Sequence, residues 1–376
     1  MRGRPTNPAS PSLAGRIALY VATACVGLAP GGCGDPVSVI GDIPGLMRIV
    51  AGVPDSPGRT AEVQATESLI REPGGLALDD DGVLYVADGG NARVLAVSSS
   101  GRLTVLRDDA ACTVEPCLRE PADLALDPQG RLVIADPAGH RVWRLDPATA
   151  ESEVLAGTGQ TGVAPDGVPA LGAPLASPHG VAVDIDGTIF VSESRGARVR
   201  TIGPDGTLGT LAGTGEAGFS GDGGAATEAR LDFPLGLDVA AGRLYVADAG
   251  NQRIRSVDLD GGTISTVAGS GLAGFAGDGG SATDASLRQP TDVAVTEDGE
   301  RIYIADTFNH RIRLVRSASG RIETFAGTGD TEFSGELLDA GATSLSGPRG
   351  VAASPFGLLF VGDTGHDIAW RVALDF

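Results

Sequence analysis

From an Ala-Gly dipeptide to the next proline of the same register there are 22 residues, five times over. The intervals run from Ala51 to Pro73, Ala156 to Pro178, Ala212 to Pro234, Ala268 to Pro290 and Ala326 to Pro348. A fixed period of this kind means that one supersecondary unit is repeated, so the fold has to be read as an array. Six prolines open the units, at positions 73, 121, 178, 234, 290 and 348, separated by 48, 57, 56, 56 and 58 residues.

The content of a unit is clearest from Pro234 onward. Leu237-Asp238-Val239 is a short inner run, and Leu244 to Ala247 is an apolar run ending on Asp248. Asn251 follows three residues later, then the alternating Arg253-Ile254-Arg255-Ser256-Val257. β-forming residues on both sides of an Asp/Gly/Asn cluster read as antiparallel strands around a tight loop. Equivalent inner runs begin at Leu76, Leu124, Val181, Val293 and Val351, and the second runs end on Asp88, Asp136, Glu193, Asp306 and Asp363. A third strand and a fourth ending in Ala-Gly complete the unit, which is the make-up of a propeller blade.

The sixth unit stops at Phe376, thirteen residues past Asp363, where a full unit needs about twenty to reach its Ala-Gly. The strand 48–52, Arg-Ile-Val-Ala-Gly, has no partner nearby in sequence but has the register to fill that gap. The expectation is an all-β, six-bladed propeller over residues 46–376, closed by an N-terminal strand that completes the last blade and removes its open edge.

With Pro-x-Gly-Leu and Leu-Tyr-Val-Ala-Asp-x-x-Asn-x-Arg-Ile in view, the chain resembles the NHL repeat family of β-propellers, and Asn309-His310-Arg311 resembles the family's signature triplet. The loops 218–224 and 274–280 look like those of bacterial exported members. Two units depart from the pattern. Glu193 and Gly196 replace Asp and Asn, and Asp367 stands in place of the usual Arg, which implies looser second-to-third loops there.

Residues 1–32 read as a signal peptide. Arg2, Arg4 and Arg16 form the basic region, Ile17 to Ala29 the apolar one, and Pro30-Gly31-Gly32 leads into Cys33, a candidate lipidation site, with plain secretion as the alternative; residues 33–45 read as a linker. In an exported protein Cys112 and Cys117 are expected to form a disulfide rather than a zinc site. The chain carries a net charge of -20, with Arg as its only basic residue besides four His. Such a charge argues against nucleic acid and against anionic lipid, leaving a lipid anchor as the only expected tie to a membrane.

Two repeated features are read as architecture. The Asp-x-x-Asn turn caps its own backbone, and the Arg two places after Asn pairs with an acid. Asp166, Asp222, Asp278 and Glu336, ten residues past the Ala, are expected to cap short helices such as one at Ala225 to Leu231. A ring of cation ligands is the alternative, but calcium loops want carboxylates close together in sequence.

The residues just after each proline should converge at the channel mouth: Gly74, Ala122, His179, Leu235, Thr291 and Arg349, with Asp123 and Asp292 one place further on. His179, Asp123, Asp292 and Arg349 are therefore the candidate binding residues. In similar amidating lyases zinc-binding His follow such a proline; here only His179 does, so no metal and no cofactor is expected. His140, His310 and His366 fall in second-to-third loops, read as away from the mouth. The expected function is a monomeric cell-envelope binding or scaffold module, whose partner is an envelope protein, a glycan or a small molecule. A hydrolase or lyase at the mouth is the alternative, and a sensor domain is disfavoured because no membrane helix or signalling segment follows the propeller.

Overall fold

Pro234–Ala240 pairs antiparallel with Arg243–Asp248, which pairs with Arg253–Asp258, which pairs with Ile264–Ala268. The computed structural model describes residues 44–59 and 63–374, and the same four-stranded meander occurs six times in them. Inner strands face the central axis and successive blades touch through them, as Pro178–Val183 touches Pro234–Ala240. The protein is a six-bladed β-propeller.

The sixth blade is made from both ends of the chain. Its inner three strands are Pro348–Ala353, Leu358–Asp363 and Ile368–Ala373, and its outer strand is Met47–Ala51, with Met47 opposite Val372 and Ile49 opposite Trp370. The repeated Ala-Gly explains the register. Gly157, Gly213, Gly269 and Gly327 sit at φ of +94° to +97° or close to it, and a Cβ there would lie 2.2–2.4 Å from the carbonyl oxygen of His140, Ala197, Gln252 or His310. Gly52 has φ +93°, and its Cβ would meet the carbonyl oxygen of Asp367, some three hundred residues along the chain, at 2.3 Å. Only glycine fits such a close, left-handed approach.

The core is divided among six blade interfaces. One is built from Tyr245, Ala247 and Ile254 of the fourth blade against Val293, Val295, Ile302 and Ile304 of the fifth. Met47 and Ile49 pack with the fifth and sixth blades, and Ala51 packs with the sixth and first. Each buried Ile, Leu or Val adds roughly 1.5–3 kcal/mol, so the closing strand stabilises two interfaces together. Among the described residues no helix is long and apolar enough to cross a membrane. The expected signal peptide, the linker up to residue 43 and Cys33 lie outside the described residues.

Candidate functional site

The acid that ends each second strand is buried without exposure in all six blades: Asp88, Asp136, Glu193, Asp248, Asp306 and Asp363. Asp248 accepts from the Asp232 N–H at 2.8 Å, from Asn251 Nδ2 at 2.8 Å and from Arg255 Nη1 at 3.4 Å. Asn251 also donates to the Gly218 carbonyl at 2.7 Å, tying the turn to the long connection. In the second and sixth blades an indole replaces the guanidinium: Trp143 Nε1 donates to Asp136 at 3.3 Å and Trp370 Nε1 to Asp363 at 3.0 Å. In the first blade Arg93 makes the pair with Asp88. The turn is architecture, as expected, because a buried carboxylate must be matched by donors.

In the first blade Arg93, two places after Asn91, takes the acid as expected, but in the fourth and fifth blades the arginine roles differ. Arg253, two places after Asn, bonds the carbonyls of Asn251 and Ser270 and stacks 3.6 Å from the centre of the Phe219 ring. Arg255 takes the acid instead, and with its other nitrogen reaches Asp222 at 2.7 Å. Asp222 further accepts from Thr266 Oγ1 at 2.7 Å. Asp166 is held the same way by Arg200 and Thr210, and Asp278 by Arg313 and Thr324. These acids are thus neither helix caps nor a cation ring; Glu336 lacks such an arginine because Trp370 fills its place. The segment 225–231 holds one 3-10 turn, Ala226–Glu228, without a side-chain cap.

The loops of the third and sixth blades are not looser. Strand pairing sets Ile368, not Asp367, opposite Asp363, where Arg253 is opposite Asp248. Asp367 occupies the left-handed position at φ 57°, and His366 replaces Asn by bonding Asp363 through Nδ1 at 2.7 Å. In the third blade the Gly196 N–H closes onto the Glu193 carbonyl at 2.9 Å.

All six residues that follow the blade prolines line one cavity of about 480 Å³: Gly74, Ala122, His179, Leu235, Thr291 and Arg349. Pro234 lies opposite Asp248, so inner-strand starts and second-to-third loops share one face of the ring. His310 is accordingly not remote from the mouth; it borders a cleft beside it. Five residues immediately before the prolines, Glu72, Ser177, Phe233, Gln289 and Gly347, have φ between +48° and +59°. For the four that are not glycine this is an unfavourable conformation held by the surrounding fold. Glu72, Phe233 and Gln289 are also in the cavity wall.

His179 is partly buried, and its Nδ1 lies out of contact with solvent and without a hydrogen-bond partner. Burial, with the Arg349 charge adding to it, pushes the imidazole down to about 4, so it is neutral at physiological pH. Arg349 is exposed and its guanidinium has no partner among the described residues, while its carbonyl accepts from Thr291 Oγ1 at 3.1 Å. Glu120, in the same wall, is raised by burial and by Asp136 and Glu72, against the opposing pull of Arg349.

Asp123 and Asp292 do not join that cavity. They line the channel below it, a space of about 220 Å³, with Asp238, which sequence reasoning passed over. Asp123 accepts from the Leu124 N–H at 2.9 Å and from the Val181 N–H of the next blade at 2.9 Å. Asp238 spans the fourth and fifth blades through Val295 at 2.6 Å, and Asp292 the fifth and sixth through Val351 at 2.8 Å. Glycine makes room on the preceding blade: a Cβ on Gly75 would lie 2.2 Å from Asp123 Oδ1, and one on Gly236 2.0 Å from Asp292 Oδ1. Burial raises Asp123 and Asp238 to about 7, and raises Asp292 with Asp123 adding to the effect. A charged residue inside the apolar inner run 237–239 was the signal for Asp238.

Among the described residues no three His, Cys, Asp or Glu side chains stand close enough to hold a metal ion. Cys112 and Cys117 are bonded, with Cα atoms 6.0 Å apart.

The sequence pattern of the NHL repeat matches residues 71–97 and 287–313, within the first and fifth blades. The bovine "NHL repeat-containing protein 2" is 33% identical over 163 residues, which is 40% of this chain and 22% of that protein. The chain thus spans about a fifth of the length of such curated relatives. Among solved structures, an auxiliary nutrient binding protein from Bacteroides ovatus superposes with a TM-score of 0.64 at 16% identity, over 88% of this chain and 77% of the other. A streptogramin B lyase gives 0.53 at 13%, over 88% and 97%. At such identities the likeness speaks for the fold alone. Repeat pattern, relatives and six-bladed ring agree on an NHL-repeat β-propeller.

Proposed function

We propose that this propeller is a binding module that holds a small polar ligand in the mouth cavity. The observation that carries the reading is the convergence on one cavity of six positions whose side chains differ from blade to blade. Their surroundings combine aromatic rings (Phe233, Phe308) with a few convergent polar groups (His179, Thr291, Arg349), the usual make-up of a small-molecule site. The nutrient-binding description of one structural neighbour accords with this reading. The test is a thermal-shift screen of sugars, amino acids and small organic acids against wild type and a His179→Ala/Arg349→Ala double variant. A compound that stabilises wild type and not the variant supports the mouth site. Equal stabilisation of both, abolished by substitutions at Asp222 and Asp278, places the site on the loops and refutes the reading.

We also place the module in the bacterial envelope, exported by residues 1–32 and anchored through Cys33. The support is the Arg-rich start, the short apolar run and the small residues before Cys33. Labelling with a fatty-acid analogue should mark wild type and not Cys33→Ala; an unlabelled wild type released to the medium points to plain secretion. The second reading is a lyase or hydrolase, favoured by the neutral His179 with its free Nδ1. An imidazole held near 4 is a weak base, which makes binding the better reading. Turnover of a bound compound, lost in His179→Ala, would reverse that order.

A further inference from the structure

The mouth cavity continues sideways. A cleft of about 530 Å³ adjoins it over the fifth, sixth and first blades, and four residues line both spaces: Glu72, Thr307, Phe308 and Arg349. The cleft then runs past His310 and Ser346 to Pro57 and Asp367. Each space alone falls in the range that holds a drug-sized ligand, roughly 300–1,000 Å³. Together they form a groove from the channel axis toward the rim, longer than one small ring requires.

The lining indicates what the groove takes. Its charges balance, Arg71, Arg119 and Arg349 against Glu72, Glu120 and Asp367, so neither sign of ligand is favoured locally. At long range the chain's net charge of -20 repels polyanions. Planar carboxylates and the Arg349 guanidinium, unpaired among the described residues, make paired hydrogen bonds of the kind that suit neighbouring hydroxyls. Phe308 at the shared wall and Phe233 at the mouth are 47% and 43% exposed, large apolar faces left open to solvent beside polar groups. Aromatic faces next to balanced, multidentate polar groups match a chain with alternating C–H faces and hydroxyl edges.

We propose that the groove binds a neutral oligosaccharide, with one sugar unit in the mouth and further units along the cleft past Phe308. This rests on the mouth-site reading above and adds chain length and ligand class to it.

The experiment is calorimetric titration of the full chain with gluco-, xylo-, manno- and N-acetylglucosamine oligomers of one to five units. In one series the affinity should rise at least about tenfold from monomer to trimer and then level off. Pro57→Trp, an exposed change that narrows the far end of the cleft, should remove most of the gain and leave monosaccharide binding intact. Phe308→Ala should reduce the gain by deleting the stacking face, and matching melting curves would show both variants to be folded. His179→Ala should weaken every member of the series, the monomer included. Equal affinity for monomer and pentamer overturns the groove while leaving the mouth site standing. A length gain untouched by Pro57→Trp and Phe308→Ala also overturns it, since the chain then runs elsewhere. If no saccharide binds, the ligand class is wrong, and the thermal-shift screen of non-saccharides decides separately whether the mouth is a site.

Discussion

Two sets of buried acids lie in this ring, and they are held in different ways. The six at the second-strand ends meet side-chain donors from their own blade, an Arg, a Trp, an Asn or a His. The three in the channel, Asp123, Asp238 and Asp292, meet only backbone N–H groups, one of them always from the next blade. The first set recurs in every unit and the second in three of six. A repeated acid comes with its partner inside the repeat, as a module that must stack on copies of itself requires. An acid that breaks the repeat has no such partner, and burial raises its pKa. The mouth above it breaks the repeat as well, and there the Arg349 guanidinium has no partner among the described residues. Repetition marks architecture, and departure from it marks where a ligand finds unspent chemistry.

The largest effect should come from removing repetition at the seam. Deleting residues 46–52 strips Met47, Ile49 and Ala51 from two interfaces and exposes the edge at 368–373. The melting temperature should fall by about 10 °C or more, and an unchanged melt would refute closure by this strand. Next comes the repeated acid layer. Arg255→Met takes the cation from Asp248 and Asp222 and should cost about 3–5 kcal/mol in denaturant unfolding. The Asp248→Asn/Arg255→Met double variant should cost less than the single one, because the orphaned charge is gone; a costlier double would contradict that account.

The channel acids sharpen the contrast through pH. Their folded pKa values are raised, Asp123 and Asp238 to about 7, so the folded state keeps protons that the unfolded chain releases near the usual carboxylate range. Stability should therefore be greatest near pH 4 and fall as pH rises toward 7, by up to about 1.4 kcal/mol per pH unit for each such group. Asp248, raised to about 6, acts in the same direction, and His179, lowered to about 4, opposes it. Melting curves from pH 4.5 to 8 should flatten in Asp123→Asn and Asp238→Asn; an unchanged slope would show that those groups stay ionised.

Smaller still is the difference between two glycines. Gly52→Ala forces a Cβ to within 2.3 Å of a carbonyl oxygen at φ +93° and should cost roughly 1–3 kcal/mol. Gly223→Ala, at φ +80° with nothing within 4 Å, should cost nearer 1 kcal/mol. Equal losses in thermal unfolding would remove the steric part of the argument.

Most of the ring was legible in the sequence because its signals are periodic. The constant 22 residues before five of the six prolines located the closing strand, and the acid ending each second strand located the turns. What was not legible depends on contacts between distant segments. Asp222 reads as a helix cap until Arg255, 33 residues on, reaches back to it. The mouth positions were legible as a set, since each stands one place after a proline. That Asp123 and Asp292 face the channel beneath was not, because one step along a strand turns a side chain to the other face. The cleft beside the mouth is formed by residues from four separate stretches, around 57, 71, 307 and 346–367, and no spacing announces it.

The central claim is that binding resides where the repeat is broken. Its most direct test is a crystal structure of the protein soaked with the tightest-binding oligosaccharide from the titrations. The account predicts density in the mouth cavity, with a sugar ring against Phe308 and a hydroxyl pair on Arg349. Density instead on the loops around Asp222 and Asp278, with the mouth filled only by solvent, would contradict it.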